Sequence, residues 1–128
     1  MFIQNLDTKQ QSALLYLAKE VIDADDQLHE SEGAILSILA SQVDASVSPE
    51  FISLDEIATL FDTNTSQVSL LLELIGVAHA DGYYHHKESI LIQKYANIMN
   101  VPKEKLLQIE GWVSKQLSLS QEVQELLA

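Results

Sequence analysis

Apolar residues recur every three or four positions along almost the whole chain, and this spacing constrains the fold more than any other feature. The clearest stripe consists of Ala13, Leu14, Leu17, Ala18, Val21 and Ile22. Such spacing places apolar side chains on one face of an α-helix. No stretch of useful length alternates apolar and polar residues, as a half-buried strand would. The sequence therefore predicts an all-helical bundle.

Turn-forming residues divide this pattern into about seven helices. The connectors at 43–49 and 62–65 are rich in Asp, Ser, Thr and Asn, and the first contains a proline. The predicted helices are 7–24, 29–42, 53–61, 66–80, 86–99, 102–117 and a short terminal helix capped by Ser118 or Ser120.

Individual residues mark several of these boundaries. Ser53 and Glu56 have the spacing of a capping box, in which two side chains satisfy the first backbone N–H groups of a helix. Asn100 is predicted to end the fifth helix, and Pro102 suits the first turn of the sixth. Trp112 is predicted to lie in the core.

The overall length and composition indicate one ordinary globular domain, residues 1–128. The chain of 128 residues is 47% hydrophobic, which is enough for one core. No apolar run reaches the roughly 20 residues of a membrane-spanning helix. The N-terminus lacks the pattern of a signal peptide. Cysteine is absent, which excludes disulfides and thiolate metal ligands. We expect a cytoplasmic protein.

The charge of the chain is strongly acidic, at −12, with 19 acidic residues against 7 lysines and no arginine. Nucleic-acid binding normally depends on Lys and Arg contacts with phosphates, so this class of function is disfavoured. Cations and proteins with basic surfaces are the more natural ligands. An acidic surface that serves only solubility is the alternative.

Two segments superpose when the sequence is shifted by 56 residues. Residues 21–40 then lie over 77–96, and identical residues include Val21 with Val77 and Ala24 with Ala80. The acids Asp25 and Asp81 also coincide, as do Glu32 and Glu88. Each copy is a helix, an Ala-Asp turn and a second helix. This duplication predicts a pseudo-twofold bundle with repeat halves at about 7–42 and 66–99.

The duplicated motif resembles the TerB-like domain of tellurite-resistance proteins. Related domains also occur beside J-domains in some membrane-anchored co-chaperones. The motif is AHADGYYHHKESI (78–90), with a degenerate copy IDADDQLHESEGAI (22–34), in which Asp26 replaces the usual glycine. The resemblance covers most of the chain. It implies an all-helical fold, a role in metal or oxyanion stress, and an acidic patch that holds divalent cations. Carried over by position, the ligands would be Asp25, Glu32, Asp81 and Glu88.

Each motif residue also has a purely structural interpretation. Gly82 and Asp26 suit the left-handed backbone that closes a helix. Glu32 and Glu88 fall in the first turns of their helices, where a carboxylate caps backbone N–H groups. If the four acids instead converge, their oxygens would suit Ca²⁺ or Mg²⁺. Neither loop has the spacing of an EF-hand.

Histidines near the second copy raise the alternative of a transition-metal site. His79, His85 and His86 lie close in sequence to Asp81 and Glu88, a donor set that Zn²⁺ accepts. However, His85 and His86 are neighbours at a helix start and point in different directions, and no HExxH motif is present. Imidazoles on a loop surface are the simpler interpretation, as are packing or rim roles for Tyr83 and Tyr84.

Two hypotheses follow for the function. The first is a TerB-like domain that binds a divalent cation through Asp25, Glu32, Asp81 and Glu88 in a metal or tellurite stress response. The second is a metal-independent interaction module whose acidic surface binds a basic protein. Catalysis has no support from a triad or a phosphate-binding loop, so we expect a protein that is not an enzyme. The sequence leaves a homodimer open.

Overall fold

The computed structural model describes residues 2–24, 32–80 and 84–128, without the side chain of Glu32. A short 3₁₀-helix (Ile3–Asn5) precedes six α-helices in these ranges. They are α1 (Thr8–Asp23), α2 (Glu32–Gln42), α3 (Leu54–Leu60), α4 (Asn64–His79), α5 (His86–Ile98) and α6 (Lys103–Leu127). The described residues contain no strand, which confirms the predicted all-helical bundle.

The number of helices is six instead of about seven because α6 is continuous. It runs for 25 residues through Ser118 and Ser120, where the sequence predicted a break. The Ser120 hydroxyl donates to the Gln116 carbonyl oxygen one turn earlier, at 3.0 Å. Its hydrogen bond is therefore made inside the helix, and it does not cap a new one.

In the described part of the chain, capping boxes set the starts of four helices. Asp7 and Gln10 close the first turn of α1, and Thr63 and Ser66 do so in α4. The predicted pair in α3 is confirmed: Glu56 Oε1 accepts from the Ser53 backbone N–H at 3.4 Å and from the Ser53 hydroxyl at 2.7 Å. Because the cap of α4 is Thr63, this helix begins at Asn64, two residues before its predicted start.

The end of α5 and the start of α6 follow the prediction closely. Asn100 has a φ of 59°, a left-handed conformation that Asn tolerates better than most residues. This turn lets the Val101 N–H donate to the Ala96 carbonyl oxygen at 2.9 Å. Pro102 is the N-cap of α6, one residue before its first turn.

The two halves of the repeat have matching helices. Both α1 and α4 have 16 residues, and their first and last residues are 56 positions apart. Seven of the eight buried positions in α4 have a buried counterpart in α1. The duplication seen in the sequence therefore corresponds to the same helix with the same buried face.

Packing between the halves follows the same correspondence. Helix α1 packs against α4, and each packs against the second helix of its own hairpin. In one cross-contact Tyr95 of α5 lies near Glu20 of α1. At the equivalent positions Leu39 of α2 and Gly76 of α4 line one shallow cavity. The two pairs exchange under the shift of 56 residues, but α5 packs closely on α1, whereas α2 is more loosely placed against α4.

The core is a single apolar cluster between the helices. Its largest fully buried side chains are Phe61, Leu14, Leu17, Ile57, Leu70, Leu71, Leu74, Ile75, Ile92 and Val21. Ile109 and Val113 of α6 are buried as well, but the prediction for Trp112 was wrong, because this side chain is 43% exposed. It packs edge-on against Phe2, with ring centroids 5.6 Å apart. Trp112 therefore covers the N-terminal segment from outside.

Candidate functional site

Glu88 occupies the first turn of α5 as a helix cap. Its side chain is only 5% exposed, and its Oε1 accepts a hydrogen bond from the His85 backbone N–H at 3.0 Å. His85 completes the box, because its Nδ1 accepts from the Lys87 N–H at 3.1 Å. The buried carboxylate thus satisfies backbone N–H groups at the positive end of the helix dipole.

The other three proposed cation ligands lie beyond the described part. Asp25 and Asp81 fall in the segments 25–31 and 81–83, together with Asp26 and Gly82, and the side chain of Glu32 is also outside. Glu32 is the first residue of α2. The structure therefore does not test whether the four carboxylates meet, and this convergence stays a prediction.

The described histidines form no common centre. His85 caps α5, His86 is exposed, and the His79 ring packs against Tyr84 with centroids 4.6 Å apart. Within 2–24, 32–80 and 84–128 there is no group of three or more His, Asp or Glu placed to hold a metal ion. The expected packing role is confirmed for Tyr84, whereas Tyr83 lies outside the described residues.

Tyr84 carries an unusual buried hydroxyl. Its Oη is shielded from solvent and makes no hydrogen bond of good geometry within the described residues. Burial, together with the carboxylates of Glu110 and Glu88, raises the pKa of Tyr84 to about 12, although the nearby Ser89 hydroxyl lowers it in part. Burial also raises the pKa of Glu110. The region where α4, α5 and α6 meet therefore favours neutral groups.

A separate groove lies between α1, the connector before α3, and α3 itself. Two buried glutamines at the start of α1 hold its walls. Gln10 Nε2 donates to the Leu60 carbonyl oxygen at 2.9 Å, and Gln11 Oε1 accepts from the Asp44 N–H at 3.0 Å. Gln11 Nε2 also donates to the Leu6 carbonyl oxygen at 2.9 Å. These bonds tie α3 and the connector to α1.

The groove has a volume of about 470 Å³ and combines apolar and acidic side chains. Phe51 stands at its edge with 72% of its surface exposed, and its ring contacts Tyr16 edge-on at a centroid distance of 5.4 Å. The full lining is Lys9, Ala13, Glu50, Phe51, Ile52, Asp55, Glu56, Thr59 and Leu60. Three carboxylates and an exposed aromatic ring therefore line the same groove.

Sequence reasoning missed this groove. The turn formers predict a connector at 43–49 and a helix from Ser53, and Phe51 lies between the two. The available signal is an aromatic residue two positions after Pro49 and between Glu50 and Ile52. Single exposed apolar residues are common on protein surfaces, however, and only the neighbours of Phe51 in space distinguish a docking surface from an ordinary exposed side chain.

Comparisons with known proteins add no relative. No family model, no curated protein and no solved structure matches the chain. None of the helices in the described ranges combines the length and the apolar character that a membrane crossing requires.

Proposed function

We propose that this protein is an interaction module that binds a short protein segment in the groove between α1 and α3. The ligand is a segment with one large apolar side chain flanked by Lys or Arg. The observation that carries the proposal is Phe51, whose ring is 72% exposed at the edge of a groove with three carboxylates. The chain is not proposed to be an enzyme.

The apolar part of the groove provides the anchor. Phe51 and Ile52 line one wall, and Ala13 and Leu60 lie across from the connector on α1 and α3. A Leu, Met or aromatic side chain inserted here would cover Phe51 and remove its ring from water. Buried aromatic and aliphatic anchors commonly supply most of the binding free energy at protein interfaces.

The charged part of the groove favours Lys or Arg beside the apolar side chain of the ligand. Glu50, Asp55 and Glu56 contribute three negative charges against the single positive charge of Lys9. The whole chain has a net charge of −12, so its long-range field also attracts basic segments. Electrostatic complementarity of this kind raises association rates and weakens with salt.

Hydrogen bonding keeps the groove walls in place before a ligand arrives. Gln10 and Gln11 are 8% and 9% exposed, and they link α1 to α3 and to the connector. Glu56 is held by Ser53, whose hydroxyl donates to it at 2.7 Å. A preformed site loses less conformational entropy when it binds.

Selection from a library of random peptides of about twelve residues tests this proposal. We expect enriched peptides to share one large apolar residue with Lys or Arg on both sides, because these match the ring and the carboxylates. Enrichment of acidic or uncharged peptides would contradict the proposal. So would an unchanged affinity of the selected peptides for a Phe51→Ser/Asp55→Asn variant.

A matched variant separates the groove from general acidity. Leu107→Ser/Glu122→Gln also removes one exposed apolar residue and one charge, but on α6, away from the groove. Its affinity for the selected peptides should stay within about twofold of the wild type, whereas the groove variant should lose at least about tenfold. Equal losses would mean that only the overall charge matters.

We also propose, as the second candidate, the cation-binding TerB-like role in metal or tellurite stress. It is supported by the repeat, because Ala24 and Ala80 cap the equivalent ends of α1 and α4 and each is followed by an aspartate. The proposed ligands stay Asp25, Glu32, Asp81 and Glu88, with Ca²⁺ or Mg²⁺ favoured over Zn²⁺. His85 and His86 would enter only for Zn²⁺.

Calorimetry with Ca²⁺, Mg²⁺ and Zn²⁺ tests the second candidate. The informative variant is Asp25→Asn/Asp81→Asn, because Glu88 also caps α5 and its loss would disturb the helix. Binding by the wild type that the variant loses would support the cation site. No binding, or equal binding by both proteins, would leave the repeated acids with structural roles alone.

A further inference from the structure

The second half of α6 extends beyond the body of the protein. Leu106, Ile109 and Val113 are buried, but no residue after Val113 is. Leu119, Val123 and Leu126 are 61%, 50% and 84% exposed. Isolated helices shorter than roughly 15 residues have marginal stability in water. A helical segment as short as the part of α6 after Val113 is therefore usually stabilised by packing an apolar face against another surface.

The exposed apolar residues form one stripe. Trp112, Leu119, Val123 and Leu126 lie within an arc of about 60° at 3.6 residues per turn. Together with Gln116, these residues follow one another at alternating spacings of four and three, which is the a/d pattern of a coiled coil. Gln116 and Val123 then occupy a positions, and Trp112, Leu119 and Leu126 occupy d positions. The centre of this stripe lies roughly 100° around the helix from Leu106, Ile109 and Val113, which face the core. Trp112 reaches Phe2 of the body, but no residue after Val113 is buried, so a cover for Leu119, Val123 and Leu126 has to come from outside the described body.

The charges beside the stripe identify the partner. Residues 114–128 contain only Lys115, Glu122 and Glu125 as charged side chains, in a chain with a net charge of −12. Lys115 and Glu122 are seven residues apart and so lie on the same edge of the stripe, at two successive g positions. One lysine followed by two glutamates gives no basic face to an anionic lipid surface, and only two acidic groups to a basic protein.

Lys115 and Glu122 are complementary to each other when two copies of α6 pair in antiparallel fashion. In that arrangement g positions face g positions, and a positions share layers with d positions. Trp112 then packs on the partner's Val123, and Gln116 on the partner's Leu119. Lys115 meets the partner's Glu122, and the twofold axis repeats this ion pair. A parallel pair would place Lys115 opposite the partner's Ser120 and would form no ion pair.

We propose that the chain forms an antiparallel homodimer through residues 112–123 of α6. The interface is isologous, since each residue and its contact exchange places under the twofold axis. Fewer than two heptads take part, over roughly 17 Å of helix. We therefore expect a weak dimer, with a dissociation constant between about 1 and 100 µM.

Sedimentation equilibrium of the full chain tests the dimer. Between about 1 µM and 1 mM, the mass should rise from 14.3 kDa toward about 29 kDa. A monomer over the whole range would overturn the proposal. Leu119→Gln should weaken the dimer at least tenfold, while circular dichroism confirms that the fold is retained.

Leu107→Gln is the matched control for Leu119→Gln. Leu107 is 58% exposed on the same helix, but lies about 120° around the axis from Leu119. The Leu107→Gln variant should dimerise with the same dissociation constant as the wild type. An equal loss in both variants would show that the stripe is not the interface.

Charge exchange tests the antiparallel register. Lys115→Glu and Glu122→Lys should each weaken the homodimer at least tenfold, because like charges then face each other twice. An equimolar mixture of the two variants should form a heterodimer at least as tight as the wild-type dimer. If the single variants keep the wild-type affinity, or if the mixture does not associate, the antiparallel register is wrong.

Discussion

The two helical hairpins of this protein share a core but differ at their edges. Gln11 in α1 and Gln67 in α4 are equivalent, and each donates to a backbone carbonyl oxygen just before its helix, at 2.9 Å. Gln11 additionally accepts from the Asp44 N–H, and this bond attaches the connector that carries Phe51. Together with the bond from Gln10 to the Leu60 carbonyl oxygen, this contact gives the first half a groove on the shared core.

The second hairpin differs in another way. Its loop brings Tyr84 against His79 and places a buried hydroxyl near α6. The first hairpin has Leu28 at the corresponding sequence position, outside the described residues. The cores of the hairpins are thus expected to contribute similarly to stability, whereas the caps and loops are expected to contribute unequally.

The largest effect should come from the equivalent core leucines. Leu14 and Leu70 are 56 positions apart, and both are 0% exposed. Leu14→Ala and Leu70→Ala should each lower the free energy of unfolding by about 3 kcal/mol, because both leave a cavity in the same core. Urea denaturation measures both values. A difference of more than about 1.5 kcal/mol would show that the halves are not equivalent in energy.

The caps should give a smaller and unequal pair of effects. Asp7 Oδ1 accepts from the Gln10 N–H at 2.8 Å, and Thr63 Oγ1 accepts from the Ser66 N–H at 3.1 Å. Asp7→Ala should cost about 1.5 kcal/mol and Thr63→Ala about 1 kcal/mol, since only aspartate also interacts as a charge with the helix dipole.

Ser118→Ala is the control for the cap variants. Ser118 lies inside the continuous α6, so its substitution should change the free energy of unfolding by less than about 0.5 kcal/mol. A loss comparable to that of Thr63→Ala would instead indicate a helix that starts at Ser118, against the structure.

The smallest effect should come from Tyr84→Phe. Removing a buried hydroxyl that makes no good hydrogen bond should leave stability unchanged or raise it by up to about 1 kcal/mol. Thermal denaturation at neutral pH measures this change. A loss above about 1 kcal/mol would mean that the hydroxyl has a strong partner.

The same residue predicts a dependence on alkaline pH. The folded state holds the pKa of Tyr84 at about 12, above its ordinary value of 10.0, so it binds the phenolic proton more tightly than the unfolded chain does. This contribution to stability is complete below pH 10 and is lost as the pH rises toward 12. Tyr84→Phe should therefore lose less stability over this range than the wild type.

Periodicity and local chemistry predicted most of the helical architecture. Helix α1 and the boundary at Asn100 follow from apolar spacing and from residues with distinct backbone preferences. The break expected near Ser118 was wrong because serine fits either a cap or a helix interior. The choice depends on where its hydroxyl finds an acceptor, and here that is the preceding turn.

The candidate site was less predictable for a physical reason. The capping role of Glu88 is local, within three residues of His85, and it follows from the sequence. The groove depends on contacts between residues 33 to 50 positions apart, such as Gln11 with Asp44 and Gln10 with Leu60. Periodicity carries no information about such contacts.

The sequence by itself determined the class of fold, the duplication and the positions of several helix ends, because these depend on spacing and on interactions within a few residues. Only the tertiary structure decided that Trp112 lies at the surface, that Phe51 stands at the edge of an acidic groove, and that Leu119, Val123 and Leu126 of α6 stay exposed. The solvent exposure of a side chain depends on which other parts of the protein lie next to it in space. The same apolar helical stripe is a core in α1 and an unoccupied face in α6, and only the arrangement of the other helices makes that difference.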